Sequence, residues 1–339
     1  MLLDKKTAER LKRLLELGGK RELFYHQDAD GVCSAAFMLK YYKFDANVME
    51  GPTLSTTFID SILKKKPDLL CFLDLSIDQE WREFEALKKK LKAILIIDHH
   101  IPEKDLNAEN TLYINPMLTS SVYLSTSYII YRILEQIGIP VKENAWIACV
   151  GVIGDHAMEG CRDLIEICKK TCPVSKLEKA SDMISAAITV KGAEGASKCL
   201  KLLLSSKTPD EFLSNDMIIR WYKRFEEEVE NVIDDFMMRK EEFGNIMMYE
   251  IESRLNITSA IASRLIEMMP DKVIVIRKKS GSRWKISARG PEGINLNDVV
   301  KRCAEGIGKG GGHTRAAGAT INNWDVFKKR FLAALQHWK

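Results

Sequence analysis

The sequence predicts an α/β protein with a parallel-sheet N-terminal domain and a smaller α/β C-terminal domain, joined by a helical linker. The chain has 339 residues, which exceeds the size at which one hydrophobic core usually stops growing. Short β-branched runs alternate with helical segments early in the chain, as in parallel βαβ units. A charged helical stretch, 216–243, then separates two regions with different patterns of predicted strands and helices. We therefore expect domains at 1–205 and 244–339, with the linker at 206–243.

Composition favours a globular protein with an ample core. Apolar residues make up 46% of the chain, and the net charge of +4 reflects 51 basic and 47 acidic residues. This charge balance does not by itself identify a polyanionic partner. We expect a cytoplasmic protein without a membrane partner, because no signal-peptide run or membrane-length apolar run is present. The eight cysteines are expected to stay reduced.

Hydrophobic periodicity assigns the N-terminal elements in order. Gly18 and Gly19 end a leading helix at 4–17. Three buried strands are predicted at 23–25, 69–74 and 94–97. Helices are predicted at 31–42, 58–65, 79–90, 121–137 and 145–154, and residues 160–205 have helical texture.

Each of the three apolar strands ends in polar residues, where open α/β sheets usually bind ligands. Four carboxylates and three imidazoles would gather at one sheet edge and repel one another unless cations lay among them. These side chains are His26, Asp28, Asp30, Asp74, Asp98, His99 and His100. Asp155 follows a buried helix and also requires a partner. The mixed donor set favours Mn²⁺, or Mg²⁺ if fewer histidines bind.

The C-terminal region predicts a phosphate-binding domain. Strands are expected at 246–251, 272–277 and 283–289, and helices at 259–269, 296–305 and 324–338. In the glycine-rich run between the last two helices, Gly310, Gly311 and Gly312 allow backbone N–H groups to converge on an anion. Arg289, His313 and Arg315 add donors suited to phosphate. A flexible single strand would suit a cleft between the two domains.

The spaced motifs resemble those of the DHH phosphoesterase superfamily. The first three are His26-x-Asp28-x-Asp30-Gly31, Asp74 and Asp98-His99-His100, and the fourth is Gly154-Asp155. The run Gly310-Gly311-Gly312-His313, followed by Ala316-Ala317-Gly318, is similar to the glycine-rich motif of the C-terminal domain associated with that superfamily. Within it, the chain is most similar to archaeal RecJ-like exonucleases. One departure is His156-Ala157, where the fourth motif often continues with Thr-Gly.

The resemblance implies a two-metal centre. It assigns one divalent ion to His26, Asp28 and Asp74. It assigns the second ion to Asp30, Asp74, His99 and Asp155, with Asp74 bridging. Asp98 would orient an imidazole, and His100 would face the scissile phosphate. Water activated between two such ions can hydrolyse a phosphodiester without a covalent nucleophile.

The expected function is a metal-dependent exonuclease that acts on single-stranded DNA or RNA in replication or repair, with a helicase or replisome component as a potential partner. Two alternatives remain open. The first is a phosphodiesterase of very short oligonucleotides or cyclic dinucleotides, or a mononucleotide phosphatase. The second is a non-catalytic replisome protein that binds single strands. The complete set of metal-binding side chains argues against the second alternative.

Overall fold

A computed structural model describes residues 2–336, and its chain divides into two compact units, Met1–Tyr222 and Lys223–Lys339. This confirms the predicted fold class, a parallel-sheet α/β domain followed by a smaller α/β domain. The predicted domain boundaries stay a prediction. Among the described helices, none combines the length and apolar character needed to cross a membrane.

Unit 1 contains a five-stranded, fully parallel sheet in the order β2-β1-β3-β4-β5. The strands are β1 (Arg21–His26), β2 (Asp45–Met49), β3 (Leu69–Leu73), β4 (Ile94–Ile97) and β5 (Thr111–Ile114). The central strands were predicted from their apolar runs. The two edge strands, β2 and β5, were not predicted.

Ten α-helices are assigned in the part of unit 1 that the structure describes, before the long helix that crosses into unit 2. The first nine are α1 (Lys5–Leu15), α2 (Ala29–Leu39), α3 (Thr56–Lys65), α4 (Trp81–Lys88), α5 (Thr126–Gln136), α6 (Ala145–Gly154), α7 (Arg162–Lys169), α8 (Val174–Lys191) and α9 (Ala193–Ser205). Two more helices, α10 (Pro209–Leu213) and α11 (Asp216–Arg239), follow. Most of these helices agree with the sequence periodicity.

Helices cover both faces of the sheet in unit 1. Alternate residues of β1 enter different hydrophobic clusters: Leu23 and Tyr25 pack on one side, whereas Phe24 packs on the other. Such burial on both faces explains why the strands are continuous apolar runs rather than alternating ones. The side chains at the strand ends are therefore held by a rigid layered core.

Unit 2 contains a six-stranded mixed sheet in the order β10-β11-β9-β8-β7-β6. Its strands are β6 (Glu241–Phe243), β7 (Ile246–Glu250), β8 (Val273–Ser280), β9 (Arg283–Arg289), β10 (Gly308–Gly312) and β11 (Ala316–Ile321). Its helices after α11 are α12 (Thr258–Met268), α13 (Leu296–Ala304) and α14 (Trp324–Ala334). Only the β7–β8 pair is parallel among these described strands.

Three sequence predictions for unit 2 need correction. The predicted helical stretch does not reach residue 243, because β6 begins at Glu241. The glycine run was expected to gather its backbone N–H groups into an anion-binding concavity, but it forms the edge strand β10, paired with the unpredicted β11. The final helix ends at Ala334; residues 337 and 338 of the predicted helix lie outside the described residues.

Candidate metal centre

The strand order of unit 1 places a ligand-binding crevice at the ends of β1 and β3. Sequence order reverses between these neighbouring strands, and such switch points are where open α/β sheets bind ligands. β1 ends at His26, and Asp74 directly follows β3. The two side chains approach each other, with 3.6 Å between Nδ1 of His26 and Oδ2 of Asp74. The centre therefore begins where topology alone would place a ligand.

His26, Asp28 and Asp74 form the first potential ligand group, with one ligand atom from each lying within 4.8 Å of the others. Asp28 caps helix α2, and its Oδ1 accepts from the backbone N–H of Gly31 at 2.8 Å. Its Oδ2 lies 2.8 Å from Nδ1 of His26. A β-carbon on Gly31 would lie 2.3 Å from the carbonyl oxygen of His26. Glycine at that position is thus needed for α2 to start so close to β1.

Asp30, His99 and Asp155 form a second potential group. Nδ1 of His99 lies 3.3 Å from Oδ2 of Asp155, which follows helix α6. Nε2 of the same imidazole lies 3.3 Å from Oδ1 of Asp74. His99 therefore lies between two carboxylates, and Asp74 is close to both potential ligand groups.

Asp30 is almost fully buried in the first turn of α2, where the start of helix α5 surrounds it with donors. Its Oδ2 accepts from the backbone N–H of Thr126 at 2.7 Å. Its Oδ1 accepts from the N–H of Ser127 at 3.1 Å and from the Ser127 hydroxyl at 2.5 Å. These donors compensate a buried negative charge and fix the carboxylate plane. Asp30 thus joins α2 to α5 at the centre.

Asp98 and His100 lie at the end of β4. Asp98 is completely buried, and its Oδ1 lies 2.7 Å from Nδ1 of His100. The His100 side chain remains 40% exposed, and its ring lies 4.5 Å from the ring of His99. With Asp74 and His99, these two residues complete a third potential ligand group. The arrangement is that of a buried carboxylate orienting an accessible imidazole.

The pKa values of the centre reflect the gathering of these acids. Burial, together with the charges of Asp74 and Asp155, raises the pKa of Asp30 well above its ordinary value. Burial raises the pKa of Asp155 to about 6. Burial acts against the charged form of His99, but Asp74 outweighs it and raises the pKa of His99 to about 10. The neighbouring carboxylates thus favour the protonated, positively charged form of this imidazole.

The donor set fits divalent cations. Buried atoms Oδ2 of Asp74, Oδ2 of Asp155 and Nδ1 of His99 have no hydrogen-bond partner among the described residues. Buried polar atoms of this kind are costly unless something else engages them. Carboxylate oxygens with a minority of imidazole nitrogens are suitable ligands for Mn²⁺ and, with fewer nitrogens, for Mg²⁺. The unpartnered atoms lie where the predicted ligands converge.

Sequence reasoning missed three side chains that support the centre. The Tyr123 hydroxyl donates to Oδ1 of Asp155 at 3.0 Å, and its ring lies 5.1 Å from that of His99. The Thr126 hydroxyl donates to Oδ1 of Asp74 at 3.1 Å. Ser127 donates to Asp30 as described above. The run Ser125-Thr126-Ser127 was readable as a helix start, but its carboxylate partners lie far away in the sequence.

Two further sequence features lie outside the centre. His156 is exposed at a left-handed φ of 54° and belongs to none of the potential ligand groups among residues 2–336. The clustered Cys161, Cys168 and Cys172 are buried free thiols. They too are absent from the potential ligand groups of the described chain.

In unit 2, the predicted phosphate-binding residues lie towards one end of the sheet. Register pairs Arg289 with Ala316, and Gly312 with Ala317. The half-buried guanidinium of Arg289 donates to the hydroxyl groups of Ser259, Ser263 and Ser287 and has no carboxylate partner among the described residues. Because hydroxyl groups leave its charge uncompensated, Arg289 is suited to an anion.

The glycine residues of β10 have a packing role. A β-carbon on Gly310 would lie 2.9 Å from Cγ1 of Val300, and one on Gly311 would lie 3.2 Å from Cε of Lys301. The N–H of Gly312 donates to Oδ1 of Asn297 at 3.0 Å. The glycines thus allow α13 to pack closely on the edge strand. His313 and Arg315 are exposed beyond it, and Arg315 lies 3.6 Å from Glu292.

Comparison with solved structures identifies proteins of similar fold. RecJ from Thermus thermophilus in complex with Mn²⁺ has a TM-score of 0.73 and 19% identity, covering 99% of this chain and 56% of its own. This chain therefore spans little more than half of that RecJ. An exonuclease RecJ bound to manganese has a TM-score of 0.68 and 21% identity, over 98% of this chain and 95% of its own.

A third structure with this fold is the pGpG-specific phosphodiesterase PggH from Vibrio cholerae. Its TM-score is 0.53 at 12% identity, with coverage of 94% of this chain and 97% of its own. At such identities these likenesses concern the fold. A search of curated protein sequences gave no match.

Family models match both units. Residues 23–152 match the DHH family, N-terminal domain, and residues 246–339 match the DHHA1 domain. The first match includes the ends of β1, β3 and β4, and the second includes the glycine strand β10. The chain therefore belongs to the DHH superfamily of phosphoesterases and carries a DHH domain followed by a DHHA1 domain.

Proposed function

We propose that this protein is a metal-dependent exonuclease that hydrolyses phosphodiester bonds of single-stranded DNA or RNA. The observation that carries the proposal is the convergence of carboxylates and imidazoles from β1, β3, β4 and α6 into ligand groups connected by Asp74 and His99. Two divalent ions are the proposed cofactors, with Mn²⁺ preferred and Mg²⁺ accepted. The fold shared with RecJ exonucleases supports exonucleolytic cleavage over other phosphoesterase activities.

We assign the cations to the groups described above. His26, Asp28 and Asp74 would hold one ion. Asp30, Asp74, His99 and Asp155 would hold the other. Bound divalent ions supply Lewis acidity, which lowers the pKa of water and neutralises charge that develops on phosphoryl oxygens.

The remaining residues of the centre hold its imidazole and carboxylate groups in fixed orientations. Nδ1 of His100 donates to Asp98, which raises the pKa of His100 against the effect of burial; in the protonated ring, the accessible Nε2 can donate to a substrate oxygen. Thr126 and Ser127 keep Asp74 and Asp30 in fixed orientations through their hydroxyl groups. Buried apolar strands pack behind the centre. Fixed donors of this kind need no reorganisation during the reaction.

Unit 2 would bind the backbone of the substrate. Arg289 presents a charge held by serine hydroxyl groups, while His313 and Arg315 supply exposed donors near the same sheet end. Repeated phosphate contacts favour a polynucleotide over a single phosphoester. We therefore propose a role in DNA replication or repair, with a helicase or replisome component as a potential partner.

The second candidate function is a phosphodiesterase of very short substrates. This chain shares its fold with a pGpG-specific phosphodiesterase over nearly the whole length of that enzyme, which favours this alternative. Such an enzyme would cleave dinucleotides efficiently and long strands poorly. Relative rates on the two substrate lengths distinguish it from an exonuclease.

The test is digestion of end-labelled single strands and of a dinucleotide by the chain after chelation, with and without added Mn²⁺ or Mg²⁺. An exonuclease should release mononucleotides progressively from one end of the long strand, and only with metal. Preference for the dinucleotide would support the second candidate instead. Strand binding without any metal-dependent cleavage would overturn hydrolysis and favour a non-catalytic binding protein.

A further inference from the structure

The metal centre is bordered by apolar side chains that its metal chemistry does not use. Four large apolar side chains are exposed among the described residues of unit 1, and three of them contact the centre or adjoin its residues in sequence. These three are Ile101, Val122 and Tyr123, with 77%, 52% and 47% of their surfaces exposed. The fourth, Leu17, follows helix α1 at the opposite end of β1. Large apolar side chains that stay exposed next to a polar centre indicate a binding surface.

Tyr123 is fixed beside two of the ligands proposed for one ion, His99 and Asp155. Its ring centroid is 5.1 Å from that of His99, and its hydroxyl donates to Asp155 at 3.0 Å. A β-carbon on Gly160 would lie 2.1 Å from the carbonyl oxygen of Tyr123, so glycine there allows the loop to pack closely. The next residue, Leu124, is buried. The ring is thus held in place although nearly half of its surface faces solvent.

We infer that Tyr123, Val122 and Ile101 form a base platform, a subsite that stacks the nucleobase next to the scissile phosphate. The inference rests on the proposed function, because a base reaches this site only if a nucleotide phosphate occupies the metal centre. An aromatic ring accepts every base, since all bases present a π-face. Val122 directly precedes the ring, and Ile101 directly follows His100 at the end of β4. Both residues are thus direct sequence neighbours of side chains that belong to the centre or contact it.

The platform gives the enzyme a way to select nucleotides over simple phosphodiesters. Charge alone would attract any phosphate ester to the cations. A stacked base adds binding energy that an ester without an aromatic group cannot obtain. The platform should therefore discriminate between substrates by the presence of a base, with little preference among bases.

The first measurement is binding, which does not depend on cleavage. The probe is a single DNA strand carrying the fluorescent analogue aminopurine at either end, titrated with the chain and Mn²⁺ on ice. Stacking should quench the fluorescence in the wild-type protein and in Tyr123→Phe, and quenching should be lost in Tyr123→Ala. Leu17→Ala is the matched control, because it removes an exposed apolar side chain far from the centre, and it should behave as wild type.

The second measurement is cleavage of two strands that differ only in whether the terminal nucleotide has a base. Tyr123→Ala should raise KM roughly 5- to 100-fold for the intact strand, the value of one lost stack, and should leave KM for the abasic strand unchanged. Tyr123→Phe separates the ring from the hydroxyl: it should keep KM and lower kcat, because Asp155 loses a hydrogen bond.

The outcomes separate this inference from the proposed function. Cleavage by the wild type without quenching, or an equal KM increase for both strands in Tyr123→Ala, overturns the platform and leaves the nuclease intact. Quenching without cleavage supports the platform and overturns hydrolysis. A KM increase in Tyr123→Phe as large as that in Tyr123→Ala assigns the residue a purely structural role and also overturns the platform.

Discussion

Replacing Asp74 by asparagine tests the two-metal proposal most directly. Asp74 has a left-handed φ of 60°, a conformation that asparagine adopts more readily than alanine. Its backbone N–H donates to the carbonyl oxygen of Ile97 at 2.9 Å, and the substitution preserves this bond. The variant therefore removes one negative charge while keeping the shape of the side chain and the end of β3.

The expected loss follows from the contacts of this carboxylate. One oxygen lies 3.3 Å from His99 and the other 3.6 Å from His26, so both proposed ions lose a ligand at once. Even residues that only hydrogen-bond to a metal ligand typically contribute 10- to 100-fold in metal affinity or activity. We therefore expect hydrolysis to fall by at least about a thousandfold, roughly 4 kcal/mol of activation free energy. Calorimetric titration with Mn²⁺ should show weakened binding at both sites.

Asp68→Asn is the matched control, since Asp68 directly precedes the strand that Asp74 follows. Its Oδ1 lies 2.8 Å from Nζ of Lys92, and its Oδ2 accepts from the N–H of Lys20. Such an exposed pair contributes little, so Mn²⁺ binding and hydrolysis should stay within about twofold of wild type. Two Mn²⁺ ions bound with unchanged affinity by Asp74→Asn, together with retained hydrolysis, would refute the shared-ligand reasoning.

Three further substitutions test other parts of the structure. Ser127→Ala removes a charged hydrogen bond to buried Asp30, so chemical denaturation in chelator should show a loss of about 1.5–3 kcal/mol; unchanged stability would contradict that role. Gly154→Ala should cost about 1–3 kcal/mol, because its β-carbon would lie 2.6 Å from a β-carbon of α2, whereas Gly18→Ala meets no atom within 4 Å and should escape this penalty. Arg289→Ala should weaken strand binding more than hydrolysis of a minimal phosphodiester; equal losses on both would indicate a direct catalytic role.

The sequence predicted the central strands of unit 1 because burial on both faces leaves a continuous apolar run. Edge strands carry no such signal. The side chains of β2 are exposed or only partly buried, and in β5 Leu112 and Ile114 alternate with Thr111 and Tyr113, although all four are buried. Pairing with a neighbour in the sheet, rather than local composition, stabilises these two strands.

The glycine strand β10 shows the opposite difficulty. Glycine disfavours strands locally, so no strand was predicted at Gly308–Gly312. The strand exists because β11 pairs with it and because α13 packs where β-carbons would otherwise collide. Neither partner can be recognised from the glycines themselves. In β10, glycine serves close packing against α13 rather than freedom of backbone conformation.

The proposed metal ligands could be predicted from the sequence more readily than the side chains that hydrogen-bond to them. Carboxylates and imidazoles at the ends of apolar strands can be read from sequence, since strand direction dictates where they meet. Tyr123, Thr126 and Ser127 could not be assigned to the centre, because a hydroxyl or a ring gives no indication of a partner many residues away. The orientation of the ligands therefore depends on contacts that only the three-dimensional structure reveals.

The proposed metal ligands and the proposed base platform lie on different kinds of structure. The proposed metal ligands lie at or next to the ends of strands and helices, where the packed layers of unit 1 restrict their movement. Tyr123 and Val122 instead lie on the irregular segment 119–125, which loop packing alone positions. Loops tolerate change better than the elements they connect. Substitutions in this segment should therefore alter which substrates are bound while preserving metal affinity, whereas substitutions at the strand ends should abolish both.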